Sequence, residues 1–206
     1  MRTFALLLLS VAATAATVAI PASGPRAEMA DYRLDPEHTT VAFMVSHLGF
    51  AKTLGQFTEV DGTFRFDEEA AILDAINVSI EASSVTTHHE ARDGHLRSGD
   101  FLNAANHPTI TFVGTGSEQT GDTTGRVTGD LTLLGETRTV TLDVTLNKSG
   151  QYPYSPPDVE GRPYHIGISA RAEIDRSDWG MTYGVDNGLV GDTVEIILEF
   201  EARRND

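Results

Sequence analysis

Apolar residues recur at every second position in segment after segment of this chain, and that period of two constrains its fold more than any other feature. Val41, Phe43 and Val45 share one face of a first segment, and Phe64 and Phe66 flank Arg65 in a second. Ile76, Val78 and Ile80 mark a third, Ile110 and Phe112 a fourth, and Val127, Leu131 and Leu133 a fifth. The sixth has the cleanest alternation, with Val140, Leu142, Val144 and Leu146 set against Thr139, Thr141, Asp143 and Thr145. Ile166, Ile168, Ala170, Ala172 and Ile174 make a seventh, and Val194, Ile196, Leu198 and Phe200 an eighth opposed by Glu195, Glu199 and Glu201. A residue reaches the same face of a strand at every second step, so each segment predicts a strand with one apolar and one polar face.

Eight such strands fit either a sandwich of two sheets or a closed barrel. Short links such as Leu134-Gly135-Glu136-Thr137 favour an up-and-down antiparallel barrel, in which closure removes the exposed edges. Edges matter because the chain has no cysteine among its 206 residues, so burial and backbone hydrogen bonds must hold it together. An outer-membrane barrel is disfavoured, because one Trp and five Tyr are too few for aromatic girdles. The net charge of −15 argues against a nucleic-acid partner.

At the start, Met1-Arg2 precedes the apolar run from Thr3 to Val11, and small residues follow through Pro21-Ala22-Ser23. This predicts a secretory signal peptide over residues 1–22, cleaved somewhere in 22–30, rather than a membrane-spanning anchor. The mature domain then covers 31–202.

One polar island, Ser84 to Thr109, interrupts the alternation between the third and fourth strands. Thr87 and Glu90 have the spacing of a capping box, which predicts a short helix beginning there. Gly94 and Gly99 limit it to one or two turns, and Pro108 restores an extended chain. His88, His89, Glu90, Asp93 and His95 give the island the most metal-like composition of the chain. Asp93 stands where a zinc-hydrolase helix needs its second histidine, so the pattern is incomplete. A metal-assisted hydrolase or isomerase using His88, His89, Asp93 and His95 is the alternative function to be tested against the fold. A second irregular stretch, Ser177-Asp178-Trp179-Gly180-Met181-Thr182-Tyr183-Gly184, could line a cavity mouth or plug a barrel end.

Several motifs agree in order and spacing with one known family. They are His47-Leu48-Gly49-Phe50, Gly55-Gln56-Phe57, Arg92 to Phe101, His107 to Phe112, Gly129-Asp130-Leu131-Thr132-Leu133 and Asp175-Arg176-Ser177-Asp178-Trp179-Gly180. Over roughly Asp31 to Ala202 the chain resembles the YceI-like family. The resemblance implies an all-β, eight-stranded antiparallel lipocalin-like barrel with a short helical segment between strands 3 and 4. It also implies a periplasmic location and non-catalytic binding, storage or transport of a long-chain isoprenoid, of polyprenyl or quinone type, and it is compatible with a homodimer. No catalytic residue, cofactor or metal belongs to that expectation. Leu102 departs from the family pattern, which has a second Phe there.

An eight-stranded barrel leaves room for one slender ligand. The alternating faces then place Phe43, Val45, Phe64, Phe66, Val78, Ile80, Phe112, Leu131, Leu133 and Ile168 on its inner wall. Phe57, Leu96, Phe101, Trp179 and Tyr183 are candidates for the mouth or the closed end, and Arg92, His95 and Arg97 for a polar head group.

Overall fold

Each of the eight apolar segments forms a strand, and the first strand pairs with the last. The computed structural model describes residues 29–157 and 160–205; the predicted signal segment lies outside the described residues. In chain order the elements are β1 (Ala30–His47), β2 (Ala51–Phe57), β3 (Val60–Asp67), β4 (Ile72–Glu81), β5 (Val85–Thr86), α1 (Glu90–Arg97), β6 (Thr109–Gln119), β7 (Thr124–Leu133), β8 (Glu136–Gln151), β9 (Tyr164–Asp175) and β10 (Val190–Asn205). Neighbours run β1-β3-β4-β6-β7-β8-β9-β10, and β10 returns to β1, which closes an antiparallel barrel of eight strands.

The two additional strand segments come from a shared corner. β2 and β3 are one long strand interrupted at Thr58 and Glu59, and β4 and β5 are another interrupted at Ala82–Ser84. The Ser84 hydroxyl accepts from the Thr58 and Glu59 amides at 3.2 Å each, and the Thr58 hydroxyl donates to the Ser84 carbonyl at 3.2 Å. Both strands therefore bend together, and at the end that carries α1 β2 continues beside β1 and β5 beside β2. β2 escapes the apolar alternation because Gly55 faces inward: a Cβ there would lie 2.3 Å from Cζ of Phe43, whose ring covers the glycine. Gly129 on β7 is covered by Phe112 in the same way, again at 2.3 Å.

Two clusters of buried side chains occupy the two ends of the barrel. Val85, Phe101, Leu102, Leu133, Val140, Trp179 and Met181 belong to the cluster beneath α1. Tyr32, Leu34, Phe64, Ile76, Val127, Ile166 and Ala202 form the other, with Phe112 and Leu142 packed against both. The proline-rich loop after β8 is pinned at its base by the Tyr152 amide donating to the Pro163 carbonyl at 2.8 Å.

The polar island folds over the first cluster as a cap, though not by the predicted capping box. His89, not Thr87, is the N-cap residue, its ring nitrogen accepting from the Arg92 amide at 3.3 Å. Thr87 turns instead to Asp93, which is only 6% exposed: its amide and hydroxyl donate to Oδ1 at 2.7 and 2.5 Å, and the Thr86 hydroxyl donates to Oδ2 at 3.0 Å. Arg92 donates to the Thr87 hydroxyl at 2.7 Å, and Arg97 donates to the carbonyls of Ser83 and Val85 at 2.7 and 2.8 Å. Asp93 thus joins the helix to the strand that precedes it.

Burial alone would raise the pKa of Asp93, but the bonds from Thr87 and Thr86 and the nearby Arg97 charge outweigh it and hold the carboxyl below the usual aspartate range. Asp93→Asn replaces one of the two accepting oxygens by an NH2 that cannot accept from Thr86 or Thr87, and removes the charge, so it should destabilise by ~1–3 kcal/mol in urea unfolding. A depressed pKa contributes stability above the unfolded-state value near 3.9 and loses it below. The gap between the parent and Asp93→Asn should therefore be full above about pH 4 and shrink on further acidification. A gap that grows with acid would contradict the bonding described.

Candidate functional site

A cavity of about 740 Å³ runs along the inside of the barrel. Its wall reaches from His47, Tyr183 and Leu189 at the α1 end to Ala71, Leu73 and the β6–β7 turn at the other. Phe43, Val45, Phe66, Val78, Ile80, Phe112, Leu131 and Ile168 line it and are only half-buried although they point inward. An inward-facing side chain keeps accessible surface only where its neighbours across the barrel do not touch it, so the middle of the barrel is hollow. Phe64 and Leu133 also line the wall, but are buried in the end clusters.

The remaining sequence-predicted residues divide between wall and plug. Phe57, Leu96, Phe101 and Tyr183 are on the wall. Trp179 is not: it is 3% exposed behind the wall, and its indole N–H donates to the Leu131 carbonyl at 3.1 Å. The aromatic segment therefore divides its roles, with Trp179 packed into the end cluster beside the mouth and Tyr183 facing the cavity. Leu102, the departure from the family pattern, is buried and also reaches the wall.

At the α1 end, the His95 ring meets Phe101 edge-on at 4.9 Å and Tyr183 at 5.1 Å, and those two rings are 5.2 Å apart. His95 Nε2 is hydrogen-bonded to Asp100 at 2.9 Å, which holds the imidazole in this aromatic group. Arg92 stands on the same side of the cavity. Arg97, a further head-group candidate by sequence, faces away and is held by backbone carbonyls.

Arg176 was not legible as part of the site. It is 2% exposed and donates to four carbonyls, those of Gly191, Met181, Tyr183 and Val190, at 2.7–3.0 Å, with Phe101 5.7 Å from its guanidinium. Burial lowers its pKa, and the nearby Asp192 charge acts against that shift. It ties the loop carrying Trp179 and Tyr183 to the start of β10. The wall also includes Ile196, Leu198 and Phe200 of β10 and Leu142, Val144 and Leu146 of β8. Alternation put these on apolar faces but gave no way to tell a hollow interior from a packed one.

The four residues of the metal alternative are not brought together. Asp93 is turned inward with both oxygens bonded to Thr86 and Thr87, His95 is bonded to Asp100, and His88 and His89 are exposed. Among the described residues, the group of His and carboxylate side chains close enough to hold an ion is a different one, Asp35, His165 and Glu201.

The β1–β2 hairpin extends the rim of the cavity. Leu48 and Gly49 turn with φ of 53° and 71°, and the Leu48 amide donates to the carbonyl of Leu189, a wall residue, at 3.0 Å. Phe50 is 91% exposed, with Leu48 at 46% and Leu54 at 58%.

Comparison with known proteins agrees with this architecture. The YceI protein of Escherichia coli O17:K52:H18 is 39% identical over 181 residues, 87% of this chain and 90% of its own length. The crystal structure of the Campylobacter jejuni YCEI protein has a TM-score of 0.68 at 27% identity, covering 78% of this chain and 90% of that one. A polyisoprenoid binding domain from Saccharophagus degradans shares the fold, with a TM-score of 0.60 at 15% identity and coverage of 84% and 98%. The model of the YceI-like domain matches residues 32–202, and with nearly the whole barrel inside that match the chain belongs to the YceI-like family.

Proposed function

We propose that this protein binds one long apolar chain of the polyisoprenoid class inside its barrel, and serves as a non-catalytic carrier or store for it in the periplasm. The hollow, elongated interior carries this conclusion, since a wall of half-buried Phe, Leu, Ile and Val side chains suits a linear hydrocarbon. The name of the Saccharophagus degradans domain supports the ligand class. The apolar run that follows Met1-Arg2, read as a secretory signal, supports the periplasmic location.

Each buried methylene contributes about 0.8 kcal/mol, so ten would total roughly 8 kcal/mol, a micromolar affinity before the cost of ordering the tail. The wall is apolar along its length and carries no polar mark that fixes a register, so tails of several lengths that fit the lumen should bind. Arg92 and His95 stand where a polar head group would lie, and a phosphate or quinone oxygen could accept from either. The exposed tip of the β1–β2 hairpin, continuous with the rim, is where a tail would pass between bilayer and barrel.

Organic extraction of the full chain purified from its native host, followed by mass spectrometry, should find one isoprenoid per protein; a protein free of amphiphile would overturn the proposal. Ile168→Trp, which places an indole in the lumen, should remove most of that lipid while leaving the thermal midpoint within a few degrees. Retention of the full complement would show that the tail lies elsewhere. Phe50→Asp should leave stability unchanged and slow uptake of an isoprenoid from phospholipid vesicles several-fold, and an unchanged rate would remove the hairpin from the transfer route.

A further inference from the structure

At the end of the barrel away from α1, a group of side chains on the outer surface plays no part in lining the cavity. There β1 leaves its ladder with β10: Leu34 pairs with Ala202 and Thr39 with Phe200, so residues 35–38 arch out opposite Glu201 alone. Leu34 and Ala202 are buried inside, so alternation sends Asp35 and Glu201 outward. His165 on β9 points outward for the same reason, beside the buried Ile166, and becomes buried because the Tyr152 ring lies 4.4 Å from it.

The arch is internally braced. Asp35 accepts from the Glu37 amide at 2.9 Å, its second oxygen is 3.0 Å from Nδ1 of His38, and the Thr39 hydroxyl donates to the Asp35 carbonyl at 2.6 Å. Across the arch, His165 Nδ1 lies 3.3 Å from a Glu201 oxygen. One donor atom each from Asp35, His165 and Glu201 can be chosen so that all lie within 4.8 Å of one another. The His165 side chain is 9% exposed, and its Nε2 is buried without a hydrogen-bond partner. A buried imidazole beside the carboxylates of Asp35 and Glu201, with Nδ1 turned to Glu201, distinguishes this group from an ordinary acidic patch.

We infer that Asp35, His165 and Glu201 form a site for one divalent transition-metal ion of the zinc class, with His38 orienting the Asp35 carboxylate. One imidazole and two carboxylates suit such an ion. Bonds of 2.0–2.2 Å in a tetrahedron place neighbouring donors roughly 3.4 Å apart, so the His165–Glu201 separation already fits and Asp35 closes in by a side-chain adjustment. The ion would join β1, β9 and β10 at the seam where the barrel closes. Its role there is structural, a cross-link in a chain without disulfides.

The test uses the full chain without an affinity tag, stripped with chelator and titrated with zinc alone by calorimetry and with cobalt(II) by visible absorption. One equivalent should bind, with a ligand-field band and a raised thermal midpoint. Asp35→Asn and Glu201→Gln change partly exposed side chains without altering their shape, and each should weaken binding by at least about tenfold, the loss that even an outer-sphere change produces. His88→Gln/His89→Gln, on the cap at the other end, should bind as the parent does. No binding by the parent, or an affinity unchanged in both carboxylate variants, would overturn the site. Loss of binding in the His88/His89 variant would assign the ion to the cap and overturn it equally.

Discussion

The pairing of β1 with β10 is the interaction on which the rest of the molecule depends. From Val41 opposite Leu198 to Val45 opposite Val194 the ladder is continuous, and it turns an open sheet into a closed ring of eight strands. Strand number then sets the bore: eight strands leave room that side chains can line without filling. The two partners lie at opposite ends of the chain, so the contact that encloses the cavity spans nearly the whole sequence. Its loop-closure entropy must be met before any of the wall exists.

Stability and emptiness are kept apart along the barrel axis. The fully buried side chains gather at the two ends, and the residues between them are half-buried. At the α1 end, Trp179 and Arg176 anchor the loop beside the mouth through bonds to backbone carbonyls, so this loop needs no ligand to hold it in place. Asp93 holds the cap by accepting from Thr86 and Thr87. A binding cavity costs a protein the packing that would have filled it, and here the two end clusters offset that cost.

Most of the fold was legible because period-two alternation is a direct statement about strand faces, and the short turns limited the connections. β2 was not legible, since its inward position at Gly55 has no side chain and the Phe43 ring occupies the space. The capping box failed for a related reason. Thr87 has a stronger partner in Asp93 than an orphan helix amide, and that preference depends on burial that local spacing does not encode. The cavity-facing aromatics followed from alternation, whereas Arg176 could not, because its partners are carbonyls from a loop and a strand up to fifteen residues away. Asp35 is separated from His165 and Glu201 by most of the chain and stands opposite Glu201 in the register shift at residues 35–38, while His165 and Glu201 lie on the paired strands β9 and β10.

The hollow middle of the barrel also bears on mechanical behaviour. Unfolding eliminates internal voids, and the volume lost is what makes hydrostatic pressure a denaturant. A barrel with a cavity of about 740 Å³ is soft to compression when that space is poorly filled, and becomes stiffer once a hydrocarbon occupies it. Occupancy of the lumen is therefore written into the compressibility of the protein.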